Sequence, residues 1–220
     1  ILPQYTHNIN ISAGLGKFVT LTLRGDFTEK IIVQNPGIDP ITGEKLFVWE
    51  NFGNISTAGA AVSLTELPLT KWLSLTCNVF GGNMSSTDKD YSANRFVVNG
   101  NFRTTFALPW DCKFEVSGFY QSKMMFGYLI ANPRADITLG LRKNLLNNNA
   151  TISLLATDIF KTHTSTVSTA NNPDFKYDVD VNYRSQRFAI TFVYRFGQSK
   201  AIKTRKVGSS DEAGRVSTRN

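Results

Sequence analysis

Apolar and polar residues alternate one by one along most of this 220-residue chain, which is the side-chain period of a β-strand. Toward the end, Phe188, Ile190, Phe192, Tyr194 and Phe196 fall on one side, with Ala189, Thr191, Val193 and Arg195 between them. Phe96, Val98, Gly100, Phe102, Thr104, Phe106 and Leu108 repeat the pattern against Arg95, Asn99, Asn101, Arg103 and Thr105. Val19, Leu21, Leu23 and Phe27 oppose Thr20, Thr22, Arg24 and Asp26, and Ala135, Ile137, Leu139 and Leu141 oppose Asp136, Thr138, Gly140 and Arg142. Turn residues between such runs divide the chain into nine predicted strands: Gln4–Gly14, Lys17–Val33, Leu46–Leu67 (broken near Gly53), Trp72–Gly81, Asn94–Leu108, Cys112–Ser122, Arg134–Asn144, Ala150–Lys161 and Phe175–Phe196. In the ninth, Tyr177, Val179, Val181 and Tyr183 are out of phase with Phe188–Phe196, which predicts a one-residue bulge near Gln186-Arg187.

The connections alternate. Leu15-Gly16, Pro68–Lys71, Pro109–Asp111 and Leu145–Asn149 are short, whereas Gln34–Lys45, Gly82–Ala93, Lys123–Pro133 and Thr162–Asp174 are long. Tight turns at one end and long loops at the other characterise a transmembrane β-barrel. A water-soluble β-sandwich or adhesin-type binding module would show similar alternation, because one face of each sheet is buried there too. Strand length separates the two: a tilted membrane-crossing strand needs about 9–11 residues, against about 5–6 for an ordinary strand, and several runs here reach the longer figure. Aromatics at strand ends (Trp72, Phe106, Trp110, Tyr194, Phe196) suit an interfacial girdle.

The expected fold is therefore all-β, an antiparallel up-and-down transmembrane barrel. With Phe196 at the periplasmic rim, every odd strand descends and the first strand descends with the ninth. Bacterial single-chain barrels usually have an even number of strands. A complete small outer-membrane barrel would then need a parallel seam, and the expectation is instead a fragment of a larger barrel, a curved open sheet when taken alone. Residues 1–197 form this barrel portion. Residues 198–220 form a basic tail, expected to be mobile and periplasmic, in which six basic residues (Lys200, Lys203, Arg205, Lys206, Arg215, Arg219) against Asp211 and Glu212 supply +4 of the net charge of +7. Because the excess sits in that tail, the basic balance does not imply nucleic acid.

The alternation assigns Leu21, Leu23, Phe96, Phe102, Phe106, Ile137, Leu139, Phe188, Ile190, Phe192 and Tyr194 to lipid, and Arg24, Asp26, Arg103, Asp136, Arg142 and Arg195 to the lumen. Charges on a lumen wall can meet a plug, line a water path or hold an anion; mutual ion pairing across neighbouring strands is the simpler expectation. No catalytic, metal or cofactor constellation emerges. His7 and His163 lie far apart without a Cys or carboxylate cluster, Gly14-Leu15-Gly16 opens no helix, and no nucleophile elbow is present. Asp39 and Asp88-Lys89-Asp90 fall in long loops, where solvated charge is the better reading than a cation site. Cys77 and Cys112 are expected on non-neighbouring strands as free thiols.

Three stretches resemble the outer-membrane β-barrel family found beside TonB-dependent receptors in Bacteroidetes-type bacteria: the terminal run Arg187–Gly197, the segment Ser117–Lys123, and Ala156-Thr157-Asp158-Ile159-Phe160 before a long loop. The tail ending in Asp211–Val216 is similar as well. The resemblance implies a bacterial outer-membrane location, a barrel of about 22 strands, and uptake of a large extracellular ligand rather than enzymatic activity. It also implies an N-terminal plug missing from this sequence, TonB acting through that plug, and the barrel-assembly machinery as a partner that reads Tyr194 and Phe196. A sheet of this kind should need detergent. Purified in plain buffer the chain is expected to precipitate, and to refold only with detergent or lipid; a soluble monomer would contradict the membrane reading.

Overall fold

The computed structural model describes residues 1–89, 91–169, 178–181 and 184–196. Among them are fifteen strands: β1 (Tyr5–Leu15), β2 (Val19–Glu29), β3 (Ile32–Ile38), β4 (Lys45–Asn51), β5 (Asn54–Pro68), β6 (Leu73–Asp88), β7 (Tyr91–Leu108), β8 (Cys112–Gln121), β9 (Met124–Phe126), β10 (Leu129–Ala131), β11 (Arg134–Leu145), β12 (Ala150–Thr157), β13 (Ser165–Thr169), β14 (Asp178–Val181) and β15 (Arg187–Tyr194). No helix among them is long and apolar enough to cross a membrane.

Nine strands build one antiparallel sheet in the order β1-β2-β5-β6-β7-β8-β11-β12-β15. These are the nine the alternation predicts, in up-and-down succession. The sheet does not close: β1 and β15 are its edges, and they run in the same direction. The other six strands lie in the long connections, as the hairpin β3–β4 and a four-stranded sheet β14-β13-β10-β9.

Four expectations from the sequence are corrected here. The run Lys17–Val33 breaks at Lys30-Ile31, where Lys30 has φ 51°, and its end leaves the sheet to pair with β4. The segment Gly82–Ala93 is not a loop, since β6 and β7 stay paired up to Asp88↔Tyr91. The last run carries no bulge at Gln186-Arg187: residues 184–186 are outside any strand, so β14 and β15 are separate elements. The eighth run, Ala150–Lys161, also ends early, at Thr157, and β14 pairs with β13 outside the main sheet. Phe175, Tyr177, Tyr183, Asp90 and the tail 198–220 lie outside the described residues. The break near Gly53 is present, between β4 and β5.

Register carries the two-faced pattern across the sheet. Leu21 sits opposite Val62, Val62 opposite Val79, and Val79 opposite Gly100. Gly100 sits opposite Tyr120, Tyr120 opposite Ala135, and Leu141 opposite Leu154, which faces Ile190. Residues directly opposite in an antiparallel ladder share a face, so one apolar face runs unbroken from β1 to β15. A bulge between Leu64 and Leu67, with Glu66 at φ 46°, shifts the β5–β6 register by one residue near its short-turn end. Among the described residues no layer covers the apolar face: Phe96 is 67%, Phe188 84%, Ile190 76% and Phe192 62% exposed.

On the opposite face, Gly59 and Gly82 are cross-strand partners. A Cβ on Gly59 would lie 2.3 Å from the Gly81 carbonyl oxygen, and one on Gly82 2.5 Å from that of Ala58. The two backbones therefore approach too closely for any side chain. Gly59→Val or Gly82→Val should destabilise the folded barrel by about 1–3 kcal/mol or block its assembly. Gly140→Ala, whose Cβ would meet its nearest neighbour at an ordinary 3.7 Å, should change little. Urea midpoints read from heat-modifiable gel mobility check the contrast.

Candidate functional site: the polar face and its long-loop cap

The register places Arg24, Asp26, Arg103, Asp136 and Arg142 on one face, the side opposite Leu21, Leu23, Phe96, Phe102, Phe106, Ile137, Leu139, Phe188, Ile190, Phe192 and Tyr194. Arg195 continues the phase of Arg187, Ala189, Thr191 and Val193 just beyond β15. The charged residues do not form one row of mutual pairs. Arg24 bonds Asp26 two residues along its own strand. Of these charged residues, Arg103 alone forms an ion pair across a ladder among the described residues, to Glu115 at 3.2 Å. The Arg195 guanidinium donates to the Asn148 carbonyl at 3.2 Å and its N–H to Asn149 at 2.8 Å, which fastens β15 to the β11–β12 turn. Tyr194 and Phe196 meet edge to face at 4.5 Å. Toward the short-turn end, Arg103, Lys113, Glu115 and Arg142 rim an open hollow of about 670 Å³.

Asp136 is buried and accepts from the Thr138 hydroxyl at 2.9 Å. His163 Nδ1 lies 3.6 Å from its carboxylate, so this histidine, a loop residue by sequence, belongs to the same face. The His163 ring stands edge-on to Phe119 at 5.2 Å, and the Arg134 guanidinium lies 5.9 Å from the Phe119 centroid. Arg134 also donates twice to Gln121 Oε1, at 3.1 and 2.9 Å.

The long-loop end of the polar face carries a second layer. The hairpin β9–β10, turned at Gly127 (φ 61°), lays Met125 against Ile55, Met84 and Val97, all buried, with Phe80, Ala93 and Met124 around them. Ile55, Met84 and Val97 hold polar-face positions in their strands. Beside them Phe52, Tyr91 and Tyr128 form a three-ring cluster with centroids 5.0–5.8 Å apart. Tyr128 donates to Asp88 at 3.4 Å. Sequence reading missed this cap, although a signal existed: Ile55, Met84 and Val97 are apolar residues on the wet phase of their strands.

Asp158 anchors the other long connection. Fully buried at the end of β12, its carboxylate accepts the Thr162 N–H at 2.9 Å, the His163 N–H at 3.3 Å and the Ser185 hydroxyl. One side chain thus closes both ends of the loop that bears β13 and β14. Burial by itself would raise its pKa, but the hydrogen bonds from Ser185, Thr162 and His163 outweigh that and hold the carboxyl below its ordinary value. Asp39 is similarly engaged: the Ile41 and Thr42 N–H groups donate to it at 2.7 and 3.0 Å and lower its pKa. Its carboxylate shapes the β3–β4 turn. No group of three or more His, Cys, Asp or Glu among the described residues could hold a metal ion. Cys77 and Cys112 are free thiols on β6 and β8, separated by β7.

A carboxyl with a depressed folded pKa contributes stability above its unfolded value, about 3.9, and loses it as pH falls through the folded value. Hydrogen-exchange protection of the Thr162 and His163 amides should therefore persist from neutral pH down to about 4 and collapse below it. Asp158→Ala should remove that protection at every pH and cost about 1–3 kcal/mol in the stability of the loop, since buried donors lose their acceptor. Unchanged protection in the variant would contradict the anchoring role.

A two-faced sheet of long strands, tight turns at one end, paired extensions at the other and an uncovered apolar face are together the features of a membrane-spanning barrel wall. No curated protein and no solved structure matches the chain. The sequence profile of the outer membrane protein beta-barrel family matches residues 1–194. The chain belongs to that family, and its place is the outer membrane.

Proposed function

We propose that this chain is part of the wall of an outer-membrane transporter of the TonB-dependent-receptor type, which takes up a large extracellular ligand. One observation carries the reading: nine two-faced strands form an open arc whose edges, β1 and β15, run the same way. Closing β1 onto β15 would demand a parallel seam, whereas further strands completing an even-numbered barrel, about 22 in transporters of this type, would close it without one. A lumen that wide must be filled or it leaks. In this reading Leu21, Leu23, Phe96, Phe102, Phe106, Ile137, Leu139, Phe188, Ile190, Phe192 and Tyr194 meet acyl chains. Arg24, Asp26, Arg103, Arg142 and Arg195 face water and a plug supplied by a segment outside this sequence, while Asp136, on the same side, is buried beside His163.

The charges around the open hollow suit such a partner. Arg142 has no ion-pair partner among the described residues, and Arg103 and Glu115 are both well exposed. A plug presenting carboxylates would find Arg142 unengaged. The plug would also carry the contact with TonB, while Tyr194 and Phe196 would be presented to the assembly machinery at the short-turn rim. The reading gives these residues no catalytic part.

The full-length protein in a planar bilayer tests this. A plugged transporter should hold no steady conductance, then open to a large conductance when urea unseats the plug, and close again as urea is withdrawn. A channel that stands open from the start would show a passive pore instead.

A further inference from the structure

Beside the methionine cluster, against which Phe80 packs, the polar face opens into a pocket of about 320 Å³ whose lining includes Asn78, Phe80, Asn99, Asn101, Phe119 and Gln121. Register sets these in two adjacent rows, Phe80↔Asn99↔Gln121 and Asn78↔Asn101↔Phe119. Two phenyl rings on a water-facing side are out of phase with their strands, and four carboxamides surround them.

The amides are bonded in a way that leaves both kinds of group open. Asn78 donates to Asn101 Oδ1 at 3.2 Å, which leaves Asn78 an acceptor and Asn101 a donor. Gln121 Oε1 takes both bonds from Arg134 and leaves an N–H₂ donor. Asn99 Oδ1 is buried without a hydrogen-bond partner, a state that native side chains avoid. Donors and acceptors interleaved at this pitch match hydroxyl groups, each of which both donates and accepts. An anion would want donors only, and a cation acceptors only. The neighbouring guanidinium of Arg134 is already engaged with Gln121 and Phe119.

We propose that this open pocket on β6, β7 and β8 binds a neutral saccharide, with Asn78, Asn99, Asn101 and Gln121 reading its hydroxyls and Phe80 and Phe119 contacting its C–H faces. A peptide is the poorer fit, because extended peptides bind by adding to a free strand edge, and all three strands are paired on both sides here. The proposal rests on this face lining the lumen.

The test uses the full-length protein folded in detergent, with its barrel state verified by heat-modifiable mobility. Calorimetry and saturation-transfer NMR are run with maltohexaose, xylohexaose and mannohexaose, with hexagalacturonate as the charged counterpart and hexaglycine as the peptide. At least one neutral hexasaccharide should bind, and Asn99→Leu and Phe80→Ala should each weaken it about tenfold or more. Asn10→Leu, far away on β1, should leave binding unchanged. Where Asn99→Leu fails to assemble, Asn101→Ala at an exposed position gives the same readout. Absence of binding by all three neutral sugars overturns the proposal. So does binding of hexagalacturonate or hexaglycine in their place, or indifference to the pocket variants. Protein that never acquires a heat-modifiable form sinks the barrel reading itself, whereas folded protein that ignores the sugars sinks only the pocket.

Discussion

Everything in this structure depends on one geometric constraint: successive side chains of a strand point to opposite faces, and partners across an antiparallel ladder share a face. A slip of one residue in any pairing would send every apolar side chain of that strand to the wet side. The nine strands avoid it throughout, so that Ile9, Leu23, Ala60, Gly81, Val98, Leu139, Ala156 and Phe188 all belong to one surface. The single register shift, at Leu64/Leu67, keeps that phase, because Leu67 faces Leu75. A surface this apolar and this open needs an apolar solvent, and acyl chains supply one in the outer membrane.

The other face obeys a different rule at each end. Toward the short turns it is polar and open, with Arg103, Lys113, Glu115 and Arg142 around a hollow. Toward the long connections the same face becomes a floor for protein. Met125 and the ring cluster of Phe52, Tyr91 and Tyr128 hold a hairpin against it, and buried Asp158 ties down the loop beside it through Thr162, His163 and Ser185. Long loops on a scaffold are where recognition is usually built. Here they are fastened over the wall, on the same face as the amides of β6, β7 and β8.

The strands were legible in the sequence because their signal is local. Phe188, Ile190 and Phe192 declare the phase of β15 with no knowledge of its neighbours. The ends of the strands were not. Whether β2 stops at Glu29 or runs on to Val33 depends on β3 folding into a local hairpin with β4 rather than joining the main sheet, a choice between partners that alternation along one strand does not decide. The same holds for β14, whose Val179 and Val181 alternate convincingly yet pair with β13 outside the sheet. The cap was hidden for a related reason. Val97 lies between Phe96 and Val98, and a scan for alternation passes over an apolar residue in the wet phase unless something is known to cover it. Asp158 was seen only as part of the stretch Ala156–Phe160; its role comes from contact with Ser185, 27 residues away.

Arginine scanning along β11 tests the central claim most directly. Arginine is placed in turn at Ile137, Thr138, Leu139 and Gly140, and the stability of the assembled protein is measured in lipid bilayers by urea titration. The account predicts an alternating profile, with a cost of up to about 2–4 kcal/mol at Ile137 and Leu139, smaller the nearer the position lies to an interface, and a small change at Thr138 and Gly140. A flat profile, or one with its maxima at Thr138 and Gly140, would contradict the assignment of the two faces.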